Sequence, residues 1–232
     1  MSAVRIALLN ASSDATNTPR NFRRELDADL VEYRVQAGQL PETFSFDGCV
    51  VTGSRASVYW DEAWIPPLKE WVGEAIDHGL AFLGICYGHQ LLADVLGGTV
   101  EDMGEYEIGY REVRHENDDP LFAGIDERFI AFTTHSDTVA ELPPGATRIA
   151  ANEYGVHGFR LGSVVAVQFH PEYDMETARE VTKGKDELPA ETRRAVLDGI
   201  TEESYAASCE AKIVFENFVE EVASHRSRVA AD

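Results

Sequence analysis

The residue best placed for nucleophilic chemistry is Cys86, in the run FLGICYGHQLLADVLGG over residues 82–98. An apolar stretch ends in Gly84-Ile85-Cys86-Tyr87-Gly88 and passes at once into a helical pattern. That is the strand–turn–helix signature of a nucleophile elbow. Glycines flank the reactive residue because the turn is sharp and a Cβ there would strike the neighbouring strand. An elbow sets the sulfur at the C-terminal edge of a sheet, where open α/β folds bind ligands. It also sets it at a helix N-terminus, whose dipole favours a thiolate. The ordinary alternative is a small buried cysteine at a strand end. Cys49 fits that description, inside an apolar run with no elbow behind it, and Cys209 has no evident partner.

A thiol nucleophile needs a base, and the base needs an orienting group. His89 follows Cys86 on the same helical stretch, where side chains a turn apart stand about 5 Å from each other along the axis. No carboxylate lies nearby to orient it, so His89 reads as a packing residue. A better base ends the run SVVAVQFHPE at 163–172. His170 leaves an apolar strand, and so faces the same sheet edge as Cys86. Pro171 fixes the following turn. Glu172 can fold back to accept a proton from the far ring nitrogen and stabilise the imidazolium, the orienting role in a triad. Cys86, His170 and Glu172 form a complete set; an HPE turn alone would be weak.

The elements that must position these residues alternate. Short apolar strands are expected at 4–10, 31–36, 46–54 and 80–85, with helices at 17–30, 64–79 and from Cys86 to the glycines at 97–98. Pro66-Pro67 opens the second helix and Gly79 closes it. This β-α-β-α-β-α-β series predicts an α/β fold with a mostly parallel, doubly wound central sheet. The segments 109–115, 128–139, 147–155, 156–162 and 163–172 read as short strands joined by turns, an antiparallel extension of that sheet. From about 174 the pattern is helical, with 183–194 (KGKDELPAETRR) expected as a surface loop or mobile connection. The expectation is a single domain over 1–232, with a core over about 4–174 and a helical extension over about 175–232.

Composition narrows the functions. The net charge is −21, from 41 acidic and 20 basic residues, and only Lys69, Lys183, Lys185 and Lys212 are lysines. So negative a surface disfavours nucleic acid and anionic lipid as partners. Acid enrichment with lysine depletion suits a halophilic cytosol, where screening at 1 M salt cuts charge repulsion to a range of about 3 Å. No run of apolar residues is long enough for a membrane span, and no secretory signal is evident, so a cytoplasmic location is expected. An odd count of three cysteines, without CxxC, argues against disulfides or a zinc site. The seven histidines lack ligand spacing such as HExxH. No metal and no cofactor is expected.

Together, VVTGSRASV (50–58), GICYGHQLLADVLGG (84–98), EIGYREV (107–113), FTTHSDTV (132–139) and AVQFHPEYD (166–174) resemble the class I (triad) glutamine amidotransferases. The likeness is greatest to the glutaminase domain of GMP synthase and its stand-alone relatives. The segments keep that family's order and spacing, and the fold implied is flavodoxin-like. The resemblance implies that Cys86 attacks the side-chain amide of L-glutamine, with His170 as base then acid and Glu172 as orienter. It implies an oxyanion hole of backbone N–H groups from the Gly53–Ser54 turn and Tyr87. It matches Gln90 to a contact with the substrate's amino-acid end, and Ser136 and Asp137 to a substrate-binding loop. Two departures stand out: Gly53-Ser54-Arg55 replaces the more usual Gly-Gly-Pro, and Ser136 replaces a glycine. No Gly-rich phosphate loop or synthetase domain is evident, so ammonia would pass to a separate synthetase subunit. The alternatives are a γ-glutamyl hydrolase of small γ-glutamyl amines or peptides, and a catalytically silent regulatory subunit, against which the intact triad argues.

Overall fold

Strand β1 (Arg5–Asn10) shows why the centre of the molecule is a sheet covered on both faces. Its side chains alternate: Ile6 and Leu8 join one apolar cluster, Ala7 and Leu9 another. A strand buried on both sides needs an unbroken apolar sequence rather than an alternating one. The same holds for β3 (Gly48–Val51) and β4 (Ala81–Ile85), all of whose residues are buried. The computed structural model describes residues 4–14 and 16–229.

The sheet has nine strands in the order β2-β1-β3-β4-β9-β8-β7-β5-β6. The first five are parallel: β2 (Asp29–Arg34), β1, β3, β4 and β9 (Val164–Val167). The rest are antiparallel: β8 (Gly155–Leu161), β7 (Thr147–Asn152), β5 (Thr99–His115) and β6 (Arg128–Glu141). Helices α1 (Asn17–Glu25) and α7 (Ile213–Val229) supply Phe22, Phe215, Phe218 and Val222 to the first cluster. Helices α2 (Ile65–Asp77) and α3 (Tyr87–Val95) supply Leu68, Trp71, Leu91 and Leu92 to the second. The mostly parallel, doubly wound α/β sheet with an antiparallel extension and C-terminal helices is the fold expected from sequence. Among the described residues no helix is long and apolar enough to cross a membrane.

Several boundaries differ from expectation, each for a local reason. The first helix stops at Glu25, because Asp29–Arg34 pairs in parallel with β1. Strand β5 starts ten residues before the expected strand, at Thr99; its first half is an acidic, largely exposed ribbon paired with β6 across a register shift between Asp102 and Glu107. The segment 183–194 is not a surface loop throughout. Helix α4 (Met175–Lys183) ends, six residues connect, and α5 (Ala190–Gly199) begins. Leu188, Val196 and Leu197 then pack against Ile108, Phe132, Ala178 and Ile200 in a third cluster. The last helical stretch is broken into α6 (Glu202–Ser208) and α7 by a 3-10 turn at Cys209–Lys212.

Strand β9 is the placement on which the functional edge depends. It reaches the sheet last yet lies parallel to and beside β4, with Val167 level with Ile85. The chain leaving β4 and the chain leaving β9 therefore emerge side by side, at one edge.

Candidate active site

Three neighbouring parallel strands, β3, β4 and β9, deliver Gly53, Cys86 and His170 to that edge. The elbow at Cys86 is strained: its φ of 53° and ψ of −102° lie in a region rarely occupied by side-chain-bearing residues. Such conformations cost of order 1–3 kcal/mol and persist where the surroundings dictate them. Here they do. A Cβ on Gly88 would come within 2.3 Å of the Val51 carbonyl oxygen on β3, and one on Gly84 within 2.5 Å of the Gly88 oxygen. The Cys86 N–H is also tied to the Val167 carbonyl at 2.9 Å. The flanking glycines let helix and sheet approach closely enough to force the turn.

His170 lies three residues beyond β9, its N–H bonded to the Phe132 carbonyl at 2.8 Å. Its ring stacks on Tyr173, with centroids 4.1 Å apart. Nδ1 donates to Oε1 of Glu172 at 2.8 Å. The turn that brings Glu172 back is clamped from α1: Arg24 donates to the Glu172 carbonyl at 2.7 Å and to Asp174 at 2.8 Å. Asp174 in turn caps α4 through the Thr177 N–H. His170 and Glu172 are both almost fully buried. Burial disfavours the charged imidazole, but the Glu172 carboxylate and then Cys86 outweigh it and push His170 up to about 10. The Cys86 Sγ itself lies 3.9 Å from the Thr134 carbonyl oxygen, its hydrogen-bond acceptor. The Cys86 and His170 side chains meet over Gly53: a Cβ there would lie 2.8 Å from His170 Cε1 and 3.7 Å from Cys86 Cβ.

The other sequence-derived residues surround this trio. Tyr87 occupies the first position of α3, where backbone N–H groups have no partner within the helix. Ser54 Oγ accepts from the Ala56 N–H at 3.2 Å. Gln90 is buried on α3, its Nε2 donating to the Asp137 carbonyl and to Gln168 Oε1, both at 3.1 Å. Cys86, Gln90, Ser136 and Asp137 line one cavity of about 480 Å3 with Trp60 and Tyr106. His170 and Glu172 line an adjoining cavity of about 260 Å3. Eight of the nine sequence-derived residues line these two cavities; the ninth, Tyr87, is buried directly behind Cys86 at the start of α3.

His89 is elsewhere. Fully buried, it contacts Gln168 through Nδ1 at 3.1 Å and packs beside Phe159. Burial, with smaller repulsion from His157 and His135, drives it down to about 3, so it stays neutral. Cys49 is likewise sealed in β3, and burial pushes its thiol up.

Sequence reasoning missed three features. Tyr59 hydroxyl donates to Asp137 Oδ1 at 2.9 Å, holding the Ser136–Asp137 segment from outside. Lys185, placed in an expected surface loop, is buried and lines both cavities. Glu107, His135 and His157 come together in the interior, with ligand-type atoms within 4.8 Å of one another. Glu107 Oε2 receives His135 Nε2 at 2.6 Å and His157 Nε2 at 3.0 Å, and Oε1 receives Asn152 at 2.7 Å. These direct bonds already satisfy the carboxylate. The EIG and THSD segments were visible in the sequence, but no spacing rule joins residues from β5, β6 and β8.

Known proteins resemble the chain in sequence and in overall fold. The family described as Glutamine amidotransferase class-I matches residues 11–184. The chain is 37% identical over 155 residues to a GMP synthase [glutamine-hydrolyzing] of Thermomicrobium roseum, a match covering 65% of this chain and 28% of that protein. The chain thus spans little more than a quarter of that relative's length. A glutamine amidotransferase structure from Thermotoga maritima superposes with a TM-score of 0.80 at 27% identity, covering 95% of this chain and all of the other. A glutamine amido transferase from Methylobacillus flagellatus shares the fold, with a TM-score of 0.80 at 22% identity over 94% of this chain and 95% of that one.

Proposed function

Because the chain belongs to the class I glutamine amidotransferase family, we propose that it hydrolyses L-glutamine to glutamate and ammonia through a γ-glutamyl thioester on Cys86, and that a separate synthetase of the GMP-synthase type receives the ammonia. One observation carries this reading: a strained cysteine elbow and a histidine held by a buried glutamate meet over Gly53 at the edge of a parallel sheet.

His170 holds the thiol's proton as an imidazolium stabilised by Glu172, and the sulfur attacks the side-chain carbonyl as the thiolate. The C–N bond breaks as His170 gives its proton to the departing nitrogen. Water then attacks the thioester with His170 as base, glutamate leaves, and the thiol regains its proton. Backbone N–H groups of Gly53 or Ser54 and of Tyr87 hold the oxyanion, fixed donors typically worth about 3–4 kcal/mol each. Gln90, Ser136 and Asp137 receive the amino-acid end of the substrate. The reaction needs no metal or cofactor, and its setting is the cytoplasm. The acidic surface is adapted to high salt, so the melting temperature rises between about 0.1 and about 2 M KCl as repulsion is screened; a fall contradicts that adaptation.

The test is glutamate release from glutamine by the purified chain, alone and with a synthetase recovered by affinity capture. Cys86-dependent release supports the reading, and its absence under both conditions refutes it. A second reading, hydrolysis of small γ-glutamyl compounds, is favoured by the cavity beside His170.

A further inference from the structure

The two cavities of the site meet along a seam formed by Ser54, Arg55, Thr134 and Lys185, which line both. Cys86 opens only into the larger cavity, and His170 only into the smaller. If Cys86 carries the acyl group and His170 protonates the departing nitrogen, that nitrogen points into the His170 cavity. Its volume of about 260 Å3 is far more than ammonia requires; a molecule of water, similar in size, takes about 30 Å3 in the liquid. There is room for a substituent on the nitrogen.

The seam has a definite charge. Lys185 is one of only four lysines in a chain of net charge −21, and it is buried rather than spread on the surface. The connection that carries it is fixed: Arg193 donates to the Lys185 carbonyl at 3.0 Å, and Leu188 is packed in the third apolar cluster. Its ammonium lies 4.7 Å from the centre of the Tyr106 ring and 3.7 Å from the exposed Glu187 carboxylate, a loose pair. Arg55 spans to the same connection, with Nη1 donating to the Gly184 carbonyl at 3.1 Å. Of the acids lining the His170 cavity, Glu172 holds His170 through Oε1 and leaves Oε2 without a partner, while Asp14 and Glu180 are hydrogen-bonded locally. Asp14 Oδ1 accepts the N–H groups of Thr16 and Asn17, and Glu180 is bonded by the Asn17 amide. Two cations therefore converge where a substituent on the leaving nitrogen would begin, and an anion is the group they suit.

We propose that the site also hydrolyses γ-glutamyl amides whose nitrogen bears a small carboxylate-containing group, that is γ-glutamyl amino acids, with Lys185 and Arg55 receiving the carboxylate. This rests on the reading of Cys86 and His170 given above. The step balances as for glutamine. The amide C–N bond breaks and a C–S bond forms while the thiol proton passes through His170 to the released amino group. Water then forms the C–O bond of glutamate, the C–S bond breaks, and the thiol regains a proton.

The experiment measures kcat/KM of the full chain for glutamine, γ-glutamylglycine and γ-glutamylmethylamide; the last two differ in the carboxylate. The expected result is a preference of at least tenfold for γ-glutamylglycine over the methylamide. In a Lys185→Met, Arg55→Met double variant that preference falls at least tenfold, and Lys185→Arg retains most of it. Hydrolysis of glutamine without preference for the carboxylate overturns this inference and leaves the proposed function standing. A preference unchanged in the double variant overturns it too. No turnover of any of the three, with no acyl group on Cys86, removes both.

Discussion

Two buried carboxylates in this protein hold histidines, and they serve different ends. At the sheet edge, Glu172 holds His170 at 2.8 Å; in the interior, Glu107 holds His135 at 2.6 Å and His157 at 3.0 Å. By hydrogen bonding alone the interior cluster is the richer. The difference lies in what the imidazoles can reach. His170 faces a cavity and a cysteine, whereas His135 turns its other nitrogen to the Asp137 carbonyl at 2.9 Å, inside the wall. A carboxylate–histidine pair becomes a candidate catalyst through access to a nucleophile and to space, and otherwise braces the fold.

Substitutions sharpen this contrast. Cys86→Ala is expected to lower glutamine hydrolysis by about 10^4-fold or more, since the nucleophile itself is removed, with the far-UV spectrum intact. Glu172→Gln leaves the ring in place but withdraws the charge that stabilises it. A loss of about 10^2- to 10^4-fold in kcat is expected, read from initial rates. Glu107→Gln breaks the interior cluster instead. It is expected to cost about 3 kcal/mol of stability in a denaturant titration, with kcat of the folded protein changed less than about tenfold. A Glu107 variant as inactive as the Glu172 variant, yet fully stable, would erase the distinction. His89→Asn should be the mildest, within about threefold in kcat, because that ring packs against Gln168 and Phe159 rather than the sulfur.

The two clusters also fail at opposite ends of the pH scale. His170 is raised to about 10 from an ordinary 6.5, so the folded protein holds the proton more tightly than the unfolded chain. Its contribution is complete below about 6.5 and is lost as pH rises through about 10. Activity that depends on the imidazolium shows an alkaline limb there, and Glu172→Gln moves that limb to lower pH. Glu107 is the reverse. Burial would raise it, but hydrogen bonds from His135 and His157 hold it well below the usual carboxylate range. Its contribution is present above an ordinary carboxylate pKa of 4.5 and is lost as pH falls below that. Thermal melts across pH 3 to 11 in the two Gln variants separate these arms.

Legibility in the sequence divides along the same line. Cys86, His170 and Glu172 were legible because each sits where an apolar run ends in a turn, a local signal. The parallel strands were legible because residues buried on both faces leave unbroken apolar runs. The Glu107 cluster was not, since its members come from three strands whose adjacency follows from β-sheet order. Lys185 was misread because a charged, glycine-bearing stretch resembles a solvated loop; Leu188, Val196 and Leu197, packing together only in three dimensions, turn it inward.

The most direct test of Cys86 as the nucleophile is to treat the protein with an electrophilic glutamine analogue and locate the adduct by mass spectrometry. A single adduct on Cys86, absent in Cys86→Ala and formed far more slowly in His170→Asn, is the predicted result. Labelling of Cys49 or Cys209 instead, or labelling of Cys86 at the same rate without His170, would contradict it.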